Sequence, residues 1–416
     1  MLVQYFKRPS RIEELRSCPG SHLLEEFAKE LAAARYQWVA ARQHIRTAEH
    51  FLRWIGHRGL SVRTVEERRA KQFLDHLKRC RCREDRPPLK PRRQKYSLHL
   101  FFQSLQRAGM VTGLTMTESV RESPVVASFC EWMRRQRGAS DATLSIYRFE
   151  LRAFIKELGE DPSRYDARNL RSFVLRKSRH SGRASTQKSI CAIRMFLRFL
   201  ISQGKCPASL YASVPSLAHW RLSALPRYLQ PAQVEKIIAS ADLRTSLGSR
   251  NRAILLLLAR LGLRAGDIVR LRFSDIDWKE GTISVSGKGR RATVLPLSRE
   301  VGQALAAYIK DHRPHADSDA VFVRSSAPYR AFTGSTSISI IVARAMRRVG
   351  INCPKPGAAH VLRHSVASSM LRGGVSLQEI AAVLRHRSLL TTEIYAKVDV
   401  VTLRQIAQSW PEVKTC

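Results

Sequence analysis

Apolar residues recur at helical spacing through two separate stretches of this chain, and each stretch stops on a glycine. The first runs from Ser21 to Gly109, with Phe51, Trp54 and Ile55 on one turn pair and Phe101, Phe102 and Leu105 ahead of the closing Gly109. The second runs from Val125 to Gly204: Phe154, Ile155 and Leu158 precede Gly159, Phe173 follows, and Met195, Phe196 and Leu200 precede Gly204. Such spacing puts one apolar stripe on each helix, so the first half of the chain must fold as small helical bodies. LFFQSLQRAG at 100–109 aligns without gaps on MFLRFLISQG at 195–204. Duplication of a unit explains the match, and so does convergence of amphipathic helices that end in glycine. Arg86 to Arg93 (RPPLKPRR) interrupts the first body and reads as an exposed basic loop, since paired prolines oppose helix.

Pro215 to Pro231 holds three prolines and little periodicity, as an extended connector between bodies would. Beyond it the pattern changes. A strongly apolar helix over Arg252 to Leu261 and a second short helix lead into a hairpin, with strands at Thr282–Val285 and Thr293–Leu297, and further helices reach the C-terminus. At 416 residues the chain exceeds what one core usually organises. The expected division is a helical domain over 1–120, a second over 121–214, a linker at 215–228 and a final domain over 229–416. The expected fold class is mainly α, with a small antiparallel β-sheet in the last domain.

Seventy-two Lys and Arg face 34 Asp and Glu, a net charge of +38 spread along the whole chain, so a polyanionic partner is expected. The 44% hydrophobic content argues for folded domains over a basic tail, and nucleic acid is the partner that fits best. Residues 1–9 carry no apolar signal core, and the longest aliphatic run, Ile254 to Leu258, is too short to span a bilayer, so a soluble intracellular protein is expected. Of eight scattered cysteines only Cys80 and Cys82 lie close together, at a spacing unlike a zinc knuckle; free thiols and no metal are expected.

The chemistry sits in the last domain. Arg264 falls at a corner between two helices, after Gly262 and ahead of Asp267, which is placed to hold its guanidinium. Lys288 is displayed at the hairpin tip, in a GKG that lacks the remaining residues of a phosphate-binding P-loop. His360 and Arg363, three apart, leave one face of a helix, while His364 reads as a packing or surface histidine. His386 lies nine residues before Tyr395, with Ser-Leu-Leu-Thr-Thr between them to start the helix that carries the tyrosine. Each residue alone has an ordinary explanation: a solvated arginine, a solubilising lysine, a packed tyrosine. Together they are an anion-handling set with a nucleophile and no acidic cluster suited to a divalent metal, unlike the sites of metal-dependent nucleases.

In order and spacing, Arg264, Lys288, His360-x-x-Arg363, His386 and Tyr395 resemble the active-site set of the tyrosine recombinase (phage integrase) family, over a region from about Leu229 to Val398. Val125 to Gly204 is similar to that family's helical core-binding domain. Two departures stand out: Arg385 occupies a place where the family commonly has glycine, with Arg387 a second added charge, and the region before Ser123 is longer than in minimal members.

The resemblance implies N-terminal helical DNA-binding domains, the second SAM-like, followed by a mixed α/β catalytic domain. It implies a site-specific recombinase that joins DNA through a 3′-phosphotyrosine at Tyr395, with no cofactor, metal or ATP, and the extended N-terminal region points to a mobile element. His360 is the implied general base, Arg264, Arg363 and His386 the phosphate donors, Lys288 the acid for the leaving 5′-oxygen and Asp267 the support for Arg264. The implied partners are double-stranded DNA and three further copies in a synaptic homotetramer, alone or with sister recombinases, with no membrane, in the cytoplasm at the nucleoid. Val401 to Trp410 would dock on a neighbour or pack within its own chain. The competing readings are a type IB topoisomerase-like nicking-closing enzyme and a non-catalytic DNA-binding accessory subunit.

Overall fold

The structure, a computed structural model, describes residues 1–62, 67–80, 91–111, 123–217, 225–286, 292–353, 357–386, 388–398 and 403–404. Thr115–Arg221 forms one compact unit; Met1–Leu114 and Leu222–Cys416 together form another.

The described residues of Met1–Leu114 form the helices α1 (Leu2–Tyr5), α2 (Pro9–Arg16), α3 (Ser21–Ala33), α4 (Trp38–Gly56), α5 (Glu67–Arg79) and α6 (Pro91–Arg107). Part of the basic stretch expected as a loop is therefore helical. Pro91 occupies the first position of α6, where a missing N–H costs no hydrogen bond, and Arg92 and Arg93 follow it into the helix. Residues 86–90 lie outside the described residues.

The second unit contains α7 (Pro124–Arg137), α8 (Asp141–Leu158), α9 (Ala167–His180), α10 (Arg183–Ser202) and α11 (Ser209–Ser213). Its boundaries follow from local chemistry. Ser140 and Asp166 accept from the amides of Thr143 and Asn169 at the starts of α8 and α9, and Gly138 ends α7 in the left-handed region at φ 56°.

The two bundles share an internal plan. Helix α4 packs on α6 as α8 packs on α10, and α3 meets both α4 and α6 as α7 meets α8 and α10. The same ring contacts recur: Phe27–Phe101, Phe51–Phe73 and Phe51–Phe101 at 5.2, 5.1 and 6.4 Å correspond to Phe129–Phe196, Phe154–Phe173 and Phe154–Phe196 at 5.5, 5.4 and 6.1 Å. Convergence of one amphipathic helix would not reproduce three contacts between helices far apart in sequence, so the correspondence favours duplication.

The rest of the chain is built on α12 (Pro231–Ala239), α13 (Ser246–Arg260), α14 (Ala265–Arg270), α15 (Arg299–Ala307), α16 (Ser335–Arg348), α17 (Ala358–Arg372) and α18 (Leu377–Val383). Strands β1 (Ile276–Asp277), β2 (Thr282–Ser286) and β3 (Ala292–Pro296) form an antiparallel sheet in that order, with Ile276 opposite Ile283 and Ser284 opposite Val294. The chain is thus mainly α with one small sheet, as its patterning requires. The hairpin tip bearing Lys288 lies outside the described residues.

Helix α13 is the centre of this core. Ala253 to Leu258 have no solvent exposure, which explains a run that is apolar on every face. The helix begins earlier than its apolar pattern suggests, because Thr245 caps a polar first turn through the Gly248 amide at 3.0 Å. The connector ends in a fixed attachment: the Leu229 amide donates to Ser365 Oγ on α17 at 2.8 Å, and Arg372 donates to Gln230 Oε1 at 3.1 Å. Among the described residues, no helix is long and apolar enough to cross a membrane.

Candidate active site

Three segments converge: the corner between α13 and α14, one face of α17, and the stretch that follows α18. The corner turns at Gly262, whose φ of +57° lies in the left-handed region and where a Cβ would come within 2.8 Å of Leu384 Cδ2. Arg264 follows as the N-cap of α14. Its guanidinium is half-buried and donates from Nη2 to the carbonyl oxygen of Arg385 at 2.9 Å.

Arg363 is buried on α17 and reaches the other two segments at once, with Nη1 donating to the carbonyl of Gly262 and Nη2 to that of Leu384. The two arginines thus grip the consecutive carbonyls of Leu384 and Arg385, immediately before His386. Burial and the nearby guanidinium groups of Arg264 and Arg385 bring the Arg363 pKa down to about 10.

Asp267 is 4% exposed and differs from its expected role. Its Oδ2 accepts from the backbone N–H of Arg264 at 3.1 Å and from Arg385 Nη2 at 2.7 Å, while Oδ1 accepts from Arg270 Nη2 at 3.0 Å. The carboxylate therefore fixes Arg264 through its main chain, because the Arg385 guanidinium takes the place next to the acid. Arg385 itself sits at φ 54°, the conformation that suits the glycine expected there. Its Nε and Nη1 are buried without hydrogen-bond partners among the described residues. The Arg385 and Arg270 guanidinium groups share this one carboxylate, with those of Arg264 and Arg363 close by, an excess of positive charge that an incoming anion would relieve.

Tyr395 is 2% exposed, in a cluster with Ala367, Ile380 and Leu384. It lies on a 3-10 turn, Glu393–Val398, after a second such turn at Leu389–Thr391, and not on the α-helix its capping sequence suggested. Its hydroxyl is 2.8 Å from Nδ1 of His364. His364 does pack, against the Tyr395 ring, and it is His364 and not His360 that touches the hydroxyl of the nucleophile candidate. The missed signal was positional, since His360 and His364 are four apart on α17 and their rings are 6.4 Å apart on one face.

Burial raises the Tyr395 pKa to about 12, with Arg363 acting in the opposite direction. Burial, then His360 and Arg363, lowers His364 to about 4. With both groups neutral, the His364 tautomer that carries its proton on Nε2 leaves Nδ1 as the acceptor of the Tyr395 hydroxyl proton. His386 is lowered to about 4 by burial and by Arg363, Arg264 and His364, and its Nδ1 lies 2.7 Å from Oγ1 of the fully buried Thr392. His360 is solvent-exposed, its pKa lowered by partial burial and by Arg363 and Arg264. The structure thus brings together Arg264, His360, Arg363, His386 and Tyr395, with His364 and Arg385 added.

The Phage integrase family profile matches residues 227–401, and the family's N-terminal SAM-like domain matches residues 126–204. A Sinorhizobium fredii protein named integrase/recombinase y4rA is 35% identical over 92% of this chain and 93% of its own length. The chain belongs to the phage integrase family of tyrosine recombinases, enzymes that break and rejoin DNA. It is a site-specific recombinase, and the topoisomerase-like and non-catalytic readings fall away. Tyrosine recombinase XerD of Listeria monocytogenes is 27% identical over 68% of the chain and 96% of its own length. Among solved structures, the XerH recombinase post-cleavage complex shares the fold at TM-score 0.54 and 18% identity, over 80% of this chain and 92% of that one. Lambda integrase residues 75–356 share it at TM-score 0.52 and 18% identity, over 70% and 98%.

Proposed function

We propose that Tyr395 attacks a scissile DNA phosphate in line, forming a 3′-phosphotyrosyl bond and releasing a 5′-hydroxyl. The observation that carries this reading is the Tyr395 hydroxyl held on His364 close to the guanidinium groups of Arg363, Arg264 and Arg385. Arg264 and Arg363 grip the non-bridging oxygens, since planar forks match phosphate and their burial strengthens each bond. In this reading Thr392 donates to Nδ1, 2.7 Å away, and His386 keeps its proton on Nε2 to offer to the phosphorane.

His364 receives the phenolic proton, the role the sequence assigned to His360; His360, solvent-exposed, contributes a further donor to the phosphate. Asp267 keeps Arg264 and Arg385 in place. Lys288, by resemblance, protonates the departing 5′-oxygen. Attack by a 5′-hydroxyl from a second strand then reverses the first step, with the bond energy retained in the phosphotyrosine.

The substrate in this reading is double-stranded DNA of a mobile element, gripped mostly through phosphates, so binding weakens steeply with salt. The working assembly is a homotetramer on two sites, in the cytoplasm at the nucleoid. The Val401–Trp410 segment proposed to dock on a neighbour lies, but for residues 403–404, outside the described residues.

A suicide substrate nicked near the cleavage point tests the chemistry. Wild type gives a denaturation-resistant protein–DNA adduct, and Tyr395→Phe gives none while still shifting DNA in a gel. An adduct that persists in Tyr395→Phe refutes the assignment.

A further inference from the structure

The N-terminal bundle brings together three metal-ligating side chains that take no part in the chemistry above. His50 projects from α4, and His76 and Cys80 come from α5 and the residue just past its end, four apart in sequence and so on one face. His50 Nε2 lies 3.3 Å from His76 Nε2 and 3.5 Å from Cys80 Sγ, and all three ligand atoms fall within 4.8 Å of one another. Two imidazole nitrogens of the same kind and a sulfur thus converge from two helices.

These separations have a specific meaning. In a tetrahedral zinc site with Zn–N near 2.05 Å and Zn–S near 2.3 Å, the N–N edge is about 3.3 Å and the N–S edge about 3.5 Å. Both contacts to His50 match. Aromatic rings enclose the imidazoles as well: Phe73 packs on His50 at 5.3 Å and Trp54 on His76 at 6.1 Å.

We propose that His50, His76 and Cys80 bind a zinc ion that clips α5 onto α4. The helix needs such a clip. Of its described residues only Ala70 and Phe73 are buried hydrophobics, whereas its counterpart α9 buries Leu170, Phe173 and Val174. The three side chains supply three of the four positions of a tetrahedral site. The ion's role is structural, in a part of the chain that holds none of the proposed reacting groups, so it leaves the metal-independent strand cleavage unchanged in kind.

The test uses the full chain. Zinc-loaded, dialysed protein should retain one equivalent of zinc, and cobalt in its place should give a thiolate-to-metal charge-transfer band with tetrahedral d–d bands. Cys80→Ser should lose the charge-transfer band. His76→Ala should weaken zinc binding by more than the roughly 10–100-fold that loss of an outer-shell partner costs. A measurement without variants guards against misfolding: zinc should slow alkylation of Cys80, mapped by peptide mass, and leave the exposed Cys191 unaffected. The proposal is overturned by wild-type protein that retains no metal, or by Cys80 alkylation indifferent to zinc.

Discussion

Replacing His364 by phenylalanine isolates the proton-transfer step. Tyr395 has its pKa raised to about 12, so ionising it beforehand at pH 7 would cost about five pKa units, roughly 7 kcal/mol at 1.36 kcal/mol per unit. A partner that takes the proton during attack avoids most of that cost, and such catalysis is typically worth about 10²–10⁴ in rate, or roughly 3–5 kcal/mol. His364 is the hydrogen-bond partner of that hydroxyl, at 2.8 Å. His364→Phe should therefore slow single-turnover cleavage of a suicide substrate by about 10²–10⁴, with DNA affinity nearly unchanged, and His360→Phe should slow it less. Because His364 is lowered to about 4, the wild-type rate should hold through pH 6, where an ordinary histidine is already largely protonated, and fall only as pH approaches 4. A His364→Phe enzyme within a few-fold of wild type, beside a His360→Phe enzyme with little activity, would return the role to His360.

Arg363→Lys should lose cleavage by about 10² or more, since one ammonium cannot serve both the Gly262 and Leu384 carbonyls and a phosphate; adduct yield on the suicide substrate checks this. Gly262→Ala should destabilise the protein by about 1–2 kcal/mol from its left-handed backbone alone, and more from the 2.8 Å approach to Leu384, read as a lower denaturation midpoint in urea. Acid should destabilise the fold before carboxylates titrate. His44, His364 and His386 each have a folded pKa of about 4, below the unfolded 6.5, so from pH 6.5 down to 4 the unfolded chain takes up protons that the folded one does not. The well-buried His44 alone accounts for roughly 3 kcal/mol, and His44→Gln should flatten the fall in thermal midpoint over that window.

What the sequence made legible was local or periodic. The helical stripes, the GLR corner, the hairpin strands and the His360–Arg363 face all follow from spacing along one element. The parts that escaped depend on distant segments meeting. Asp267 was expected to hold the nearest guanidinium, yet Arg385 claims the carboxylate from a stretch more than a hundred residues away. The zinc ligands escaped because cysteine was weighed only against cysteine, and His50 reaches the site from another helix. His364 was legible and was missed, since a separation of four residues from His360 already placed both rings on one face. The turns around Tyr395 are 3-10, where capping residues alone suggested α, because tertiary packing of Thr392 and Tyr395 outweighs local propensity.

The sheathed position of Tyr395 carries a cost for the enzyme and a safeguard for its host. Carrying that phenol to a phosphodiester requires lifting the ring away from Ala367, Ile380 and Leu384 while its hydroxyl keeps His364 as partner. Part of the free energy of docking on DNA must drive this uncovering, so apparent affinity understates the contacts made. A copy that meets DNA without enough contacts to unseat the ring keeps its warhead holstered, and stray nicks are avoided by the same packing that stabilises the fold.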